Sequence, residues 1–303
     1  MTLDSLAKLF VTIAVIEMMV TAGLGVAAAD LIAVARNMRL LTRAAMANYV
    51  CVPAATVVLL MVFDAHPMVA AGFLILAVCP GAPFSPPLAI MAGGNAALSV
   101  GWMTFLAVTS AVIAPAALYL LLPPYAGPQA LTFDVVCRMM STLTGVQLLP
   151  LAVGLGIRRL RPGLAEGLLD PAKKLGKLLN VIAIGLVLAL YCPLLAAVRL
   201  KGLIGMLLLL AVSLAAGWFL GGRGAGDRKA LSLTTAMRNV GAGLVIATDS
   251  FAGTPAVAAV LAYGLVGVLG SLVLALFWGR RPAVVETCRH MEKAVDNRPD
   301  PQV

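Results

Sequence analysis

Between His66 and Phe133 the chain carries no Asp, Glu, Lys or Arg, and within that stretch residues 80–87 read Pro-Gly-Ala-Pro-Phe-Ser-Pro-Pro. An uncharged run this long suits lipid. Four prolines in eight residues cannot lie inside one continuous helix, because each removes a backbone donor and sets its ring against the preceding turn. Broken backbone at membrane depth survives only where protein or a water-filled cavity covers it. Interrupted helices near the midplane are where secondary transporters bind substrate and coupling ion. A proline kink between two packed helices is the simpler account, but a kink seldom needs four prolines.

The rest of the composition agrees. Of 303 residues, 61% are hydrophobic and 12% charged, about half the charged share of a soluble domain. The class is a polytopic membrane protein, all-α, with the lipid bilayer as its first partner. The net charge of +9 is no nucleic-acid signal, since the basic residues fall in short loops beside apolar segments. None of the five cysteines forms a CxxC pair, and no metal site is suggested. HExxH, GxSxG and P-loop patterns are missing, and histidine occurs only at His66 and His290, so an enzyme is not expected.

Nine spans are predicted, at 6–28, 41–63, 66–92, 95–122, 133–157, 178–198, 202–222, 229–250 and 254–278, the third and eighth interrupted. The loops at 29–40, 158–177, 223–229 and 279–303 hold sixteen Lys and Arg, and the opposite loops hold only Arg199 and Lys201. This asymmetry puts the N-terminus outside and the C-terminus in the cytoplasm of a plasma (inner) membrane. The loop at 158–177 is predicted to carry at most a short amphipathic stretch, and residues 279–303 form a cytoplasmic tail. The interrupted spans lie five steps apart and so cross in opposite directions. That is the pattern of an inverted five-helix repeat, with a first unit (6–122) lacking its opening helix and a second at 133–278.

Ser85 and Pro86 suit a helix start, so a half-helix would begin there with free N–H groups that attract anions. In the eighth span Ser232, Thr234, Thr235, Arg238 and Asn239 are polar in apolar surroundings. An intramembrane arginine is a functional candidate whose partner must be named. Glu17, mid-way along the first span, is the only carboxylate at that depth. Two readings stand: a structural Glu17–Arg238 ion pair, or an Arg238 that meets an anionic substrate with Glu17 as counter-charge or proton carrier. Asn48 and Gln147 either face the cavity or hydrogen-bond to a neighbouring helix, and the second reading is favoured, since polar glue between membrane helices is common.

Cys79-Pro80-Gly81, Ser85 and Asn95-Ala-Ala-Leu-Ser-Val100 together resemble the CPGG-TASN…GD-ALSV signature of the bile acid:sodium symporter family. Ala236-Met-Arg-Asn-Val-Gly-Ala-Gly243 resembles that family's E-x-G-M-Q-N-S-G signature. The resemblance implies two helices that cross at their breaks, substrate between this core and a panel of helices, and sodium behind the crossing. It also implies a small or amphipathic organic anion moved by alternating access. Ser85 and Ser99 keep the family's residue types at the sodium positions, and Thr104 matches a third with a one-residue offset. The family's sodium-binding Asn falls on Pro86, its Glu on Thr234 and its Gln on Arg238. Losing the carboxylate at Thr234 and gaining a guanidinium at Arg238 removes the negative charge a hard cation wants and sets a fixed cation beside its place. Sodium at Ser85, Ser99 and Thr234 is therefore expected to be weak or absent, with Arg238 in its place. The candidate substrate and ion residues are Ser85, Asn95, Ser99, Thr104, Thr234, Arg238, Asn239 and Glu17. No cofactor is expected beyond a coupling sodium or proton, and the sequence leaves the oligomeric state open. The alternatives are a non-transporting receptor or scaffold, and a proton-coupled transporter of a related inverted-repeat family.

Overall fold

The computed structural model describes residues 3–26, 32, 34–126, 133–196 and 200–280, and among these every regular element is a helix. In chain order they are α1 (Leu3–Gly25), α2 (Met38–Phe63), α3 (Pro67–Val78), α4 (Ser85–Met91), α5 (Ala96–Leu121), α6 (Phe133–Leu160), α7 (Pro162–Ala196), α8 (Leu200–Leu220), α9 (Ala225–Ala236), α10 (Val240–Ser250) and α11 (Pro255–Gly279). A single turn at Pro123–Ala126 follows α5. Eight helical stretches among the described residues are long and apolar enough to cross a membrane, with α9 and α10 counted together as Ala225–Ser250. The twelve-residue α3 is apolar but shorter.

The predicted loop at 158–177 does not exist as such. α6 runs to Leu160 and α7 begins at Pro162, leaving Arg161 as the whole connection. Pro162 suits a first helical turn, where its missing N–H is no loss. Ala165, Leu169, Ala172 and Gly176 recur at helical spacing on the side of α7 turned toward the molecule, so the polar stretch continues the helix instead of breaking it. The predicted tail lies outside the described residues apart from 279–280.

The helices sort into two packed groups. α1, α6 and α7 lie along one another, while α8 and α11 pack against α2, α3 and α9. α1 and α6 approach closely at Gly23 and Gly154, where a Cβ on Gly23 would lie 2.5 Å from the Leu151 carbonyl. Small residues at membrane helix crossings permit this approach. In the most apolar eighteen-residue window of Ala225–Ser250, 89% is buried within the molecule, against 22–44% in the corresponding windows of the other seven. The second interrupted span is therefore the axis around which the bundle is built.

α2 and α6 each contain a π-helical turn, at Ala47–Cys51 and Thr144–Leu148. Both precede a proline, Pro53 and Pro150, whose ring would clash with the carbonyl four residues back in a regular helix. The widened turn relieves the clash and turns Asn48 and Gln147 inward, both fully buried.

Candidate functional site

The first break follows from Pro80. Residues before proline are pushed out of the helical region, and Cys79 adopts φ −106°, ψ 72°. Gly81 then takes φ +86°, and its backbone lies so close to α5 that a Cβ would meet the Ala107 nitrogen at 2.4 Å. Only glycine meets both demands. The chain re-enters helix at Ser85, with Phe84 rather than Ser85 in the N-cap position. The Ser85 hydroxyl donates to the Ala82 carbonyl at 2.9 Å.

The second break contains no proline. Met237 is extended (φ −80°, ψ 107°), and Asn239 caps α10 by accepting from the Ala242 N–H at 3.1 Å. The Asn239 backbone N–H donates to the Cys79 carbonyl at 2.8 Å, so the two interruptions touch. The Asn239 side chain donates to Gln147 Oε1 at 3.4 Å, and Gln147 donates onward to Ser110 Oγ at 3.0 Å and to the Ala107 carbonyl.

Arg238, 3% exposed, fills this junction. Its Nε donates to the Leu76 carbonyl at 3.0 Å and Nη2 to the Ala77 carbonyl. Nη1 donates to Asn48 Oδ1 at 2.8 Å and to the Thr235 carbonyl at 3.2 Å. Leu76 and Ala77 lie in the last turn of α3, at the negative end of the helix dipole; the Leu76 carbonyl also accepts from the Cys79 N–H at 3.1 Å. A guanidinium therefore satisfies the helix end with charge-assisted bonds. Arginine has five N–H donors. Four are engaged, and the second N–H on Nη2 has no partner among the described residues.

The expected Glu17–Arg238 pair is not formed. Glu17 accepts from the Thr21 hydroxyl at 2.5 Å and faces Gly176 of α7, where a Cβ would strike the carboxylate. Its Oε2 is buried without a partner among the described residues. Helical rotation is the reason: Val15 and Met18, not Glu17, face the breaks. Asn95 is also misplaced by the sequence reading. It is exposed, caps α5 through the Leu98 N–H at 3.2 Å, and donates to Asp227 Oδ1 at 3.0 Å. Ser99 and Thr234 meet, Oγ to Oγ1 at 3.2 Å, and both are buried. Thr104 is buried but donates to Val100 of its own helix at 2.9 Å.

Both breaks open onto a cavity of about 150 Å³ whose lining includes Phe84, Arg238, Asn239 and Gly241 on one side and Val15, Met18, Asn180 and Ala183 of α1 and α7 on the other. The family model of the sodium bile acid symporters matches residues 12–219. The chain belongs to the sodium bile acid symporter family. It is thus a multi-pass membrane transporter of that family. The matched stretch runs from within α1 through α7 and nearly all of α8, and ends before the second break. No curated protein matches the chain in a sequence search. Asn48 bonds across to the neighbouring helix, through Arg238 and the Thr235 hydroxyl, as the second of its two sequence readings had it; what sequence reasoning missed in the cavity lining is Asn180.

Proposed function

We propose that this symporter-family protein moves a small or amphipathic organic anion by alternating access, without using sodium. The observation that carries the reading is Arg238. Its guanidinium already brings a positive charge onto the carbonyls at the end of α3, where a bound cation would otherwise sit, and Arg238 lines the cavity between the two helix groups with one N–H uncommitted. That donor and the N-terminus of α10 supply anion attraction. The apolar walls suit the organic part of the substrate. Ser85, Ser99, Thr104 and Thr234 then serve as packing and hydrogen-bonding residues near the crossing, and Asn239 as its backbone clamp.

In this reading the chain crosses nine times, α3 with α4 forming the third crossing and α9 with α10 the eighth. An inverted repeat relates 6–122 to 133–278, and the first unit lacks its opening helix. The N-terminus is outside and the tail in the cytoplasm of the plasma (inner) membrane. Alternating access then requires the contacts between panel and core to break. At the outer end these include the Lys8–Asp249 ion pair at 2.5 Å and the Gly253 N–H donating to the Tyr191 hydroxyl at 3.2 Å.

The test is uptake into proteoliposomes of a panel of carboxylated and sulfated organic acids, with and without a sodium gradient. Uptake independent of sodium supports the proposal, and a strong sodium requirement overturns it. Proton coupling is the second reading, favoured by the unpartnered Glu17 Oε2. A pH gradient that drives uptake in the parent protein and not in Glu17→Gln would establish it.

A further inference from the structure

A second cavity, about 400 Å³, lies away from the breaks, among α2, α3, α8 and α11. Leu60, Phe63, Phe73, Met206 and Ala259 make its walls. Thr56 also lines it, but its hydroxyl already donates to the Val52 carbonyl at 2.8 Å and asks nothing of a ligand. An apolar space of this kind has too few polar partners to hold ordered water.

Its mouth is different. Phe63 ends α2, Pro67 begins α3 and Leu200 begins α8, so the opening lies at the depth where spans end and headgroups begin. Two donors stand there, His66 and Lys201, both exposed. His66 Nδ1 accepts from the Met68 N–H at 3.3 Å, which leaves Nε2 as a donor directed elsewhere. Lys201 has no ion-pair or hydrogen-bond partner among the described residues. It also occupies the first turn of α8, the positive end of a helix dipole, where a cation is disfavoured and an anion favoured. Basic residues are scarce in the loops of this side, where Arg199 and Lys201 are the only two. No carboxylate lines the cavity, Asp64 lying outside its walls. The arrangement lacks one thing, a negative charge at the mouth attached to an apolar chain.

We propose that this cavity is a site for an anionic phospholipid, one acyl chain inside and the phosphate on Lys201 and His66. It is separate from the transport cavity and stands or falls independently of the transport reading. The bilayer supplies the ligand at the required depth.

The experiment is lipid titration of the purified, delipidated protein, read by thermal shift and by native mass spectrometry. Phosphatidylglycerol is the probe, and phosphatidylcholine and oleate are the comparisons. Phosphatidylglycerol should raise the melting temperature and survive as a bound adduct more than either comparison. Lys201→Ala should weaken phosphatidylglycerol about fivefold, the worth of one basic residue at a membrane surface, and Lys201→Arg should restore it. Gly205→Leu should fill the space and abolish the adduct, since a Cβ there meets only the Phe63 ring at 3.8 Å. If Gly205→Leu does not fold, the Lys201 pair decides. Equal binding of phosphatidylcholine or oleate, or an unchanged affinity in Lys201→Ala, overturns the proposal.

Discussion

Arg238→Gln removes the group on which the site is organised. The guanidinium gives four hydrogen bonds, to the carbonyls of Leu76, Ala77 and Thr235 and to Asn48 Oδ1. A glutamine amide is shorter and donates two at most; the Leu76 carbonyl keeps the Cys79 N–H, so at least one buried acceptor loses its partner. Such an acceptor costs about 1–3 kcal/mol when left without a replacement. Against this, removing a buried cation recovers part of its desolvation penalty. The net loss is on the order of 1–3 kcal/mol, a fall in melting temperature on the order of 5 °C. The assay is thermal unfolding in detergent, in sodium chloride and in choline chloride. The parent protein should melt at the same temperature in both, because the place of a bound cation is filled. The variant should melt lower in choline and recover part of the difference in sodium, whose ion can take up the freed carbonyls. Saturation at a hundred times the dissociation constant would return about 2.7 kcal/mol. Two results refute the reasoning: a parent protein that sodium stabilises, or a variant as stable as the parent in choline. A destabilised variant that sodium fails to rescue would refute the surrogate-cation part alone.

Further outcomes follow from the same geometry. Gly81→Ala combines a positive φ with a Cβ 2.4 Å from the Ala107 nitrogen, so it should sharply reduce the yield of monodisperse protein on size-exclusion chromatography. Ala183→Phe places a ring in the 150 Å³ cavity and should abolish anion uptake at near-normal expression. Lys8→Glu and Asp249→Lys should each weaken the outer contact and raise labelling of a cysteine placed at Val15, and the double exchange should restore the parent level. The stability effect of either single change should stay within about 1 kcal/mol, because the pair is partly exposed.

Much of the fold was legible because the bilayer makes strong demands on sequence. Apolar length sets the spans, and Pro80 and its neighbours rule out an unbroken third one. The second break was legible only as polar residues beside Gly241 and Gly243, and the structure shows why. No residue there forbids helix, and the break is held by contacts with the first, above all the Asn239 N–H on the Cys79 carbonyl. The predicted loop at 158–177 failed for the opposite reason, since charged residues mark the end of the bilayer and not the end of a helix. Asn95 failed because a helix cap and a binding residue share the same side-chain chemistry.

The order of residues by itself determined that this chain is built of apolar helices that suit a membrane, that the helix before Pro80 must break, and that a guanidinium sits among apolar residues at Arg238. Only the assembled fold decided what that guanidinium holds. A charge search along the sequence finds carboxylates, and it found Glu17. The partners proved to be main-chain carbonyls of Leu76 and Ala77 with the amide of Asn48. Every residue owns a carbonyl, and nothing in the letters says which ones a helix end leaves unpaired until another helix end arrives beside it.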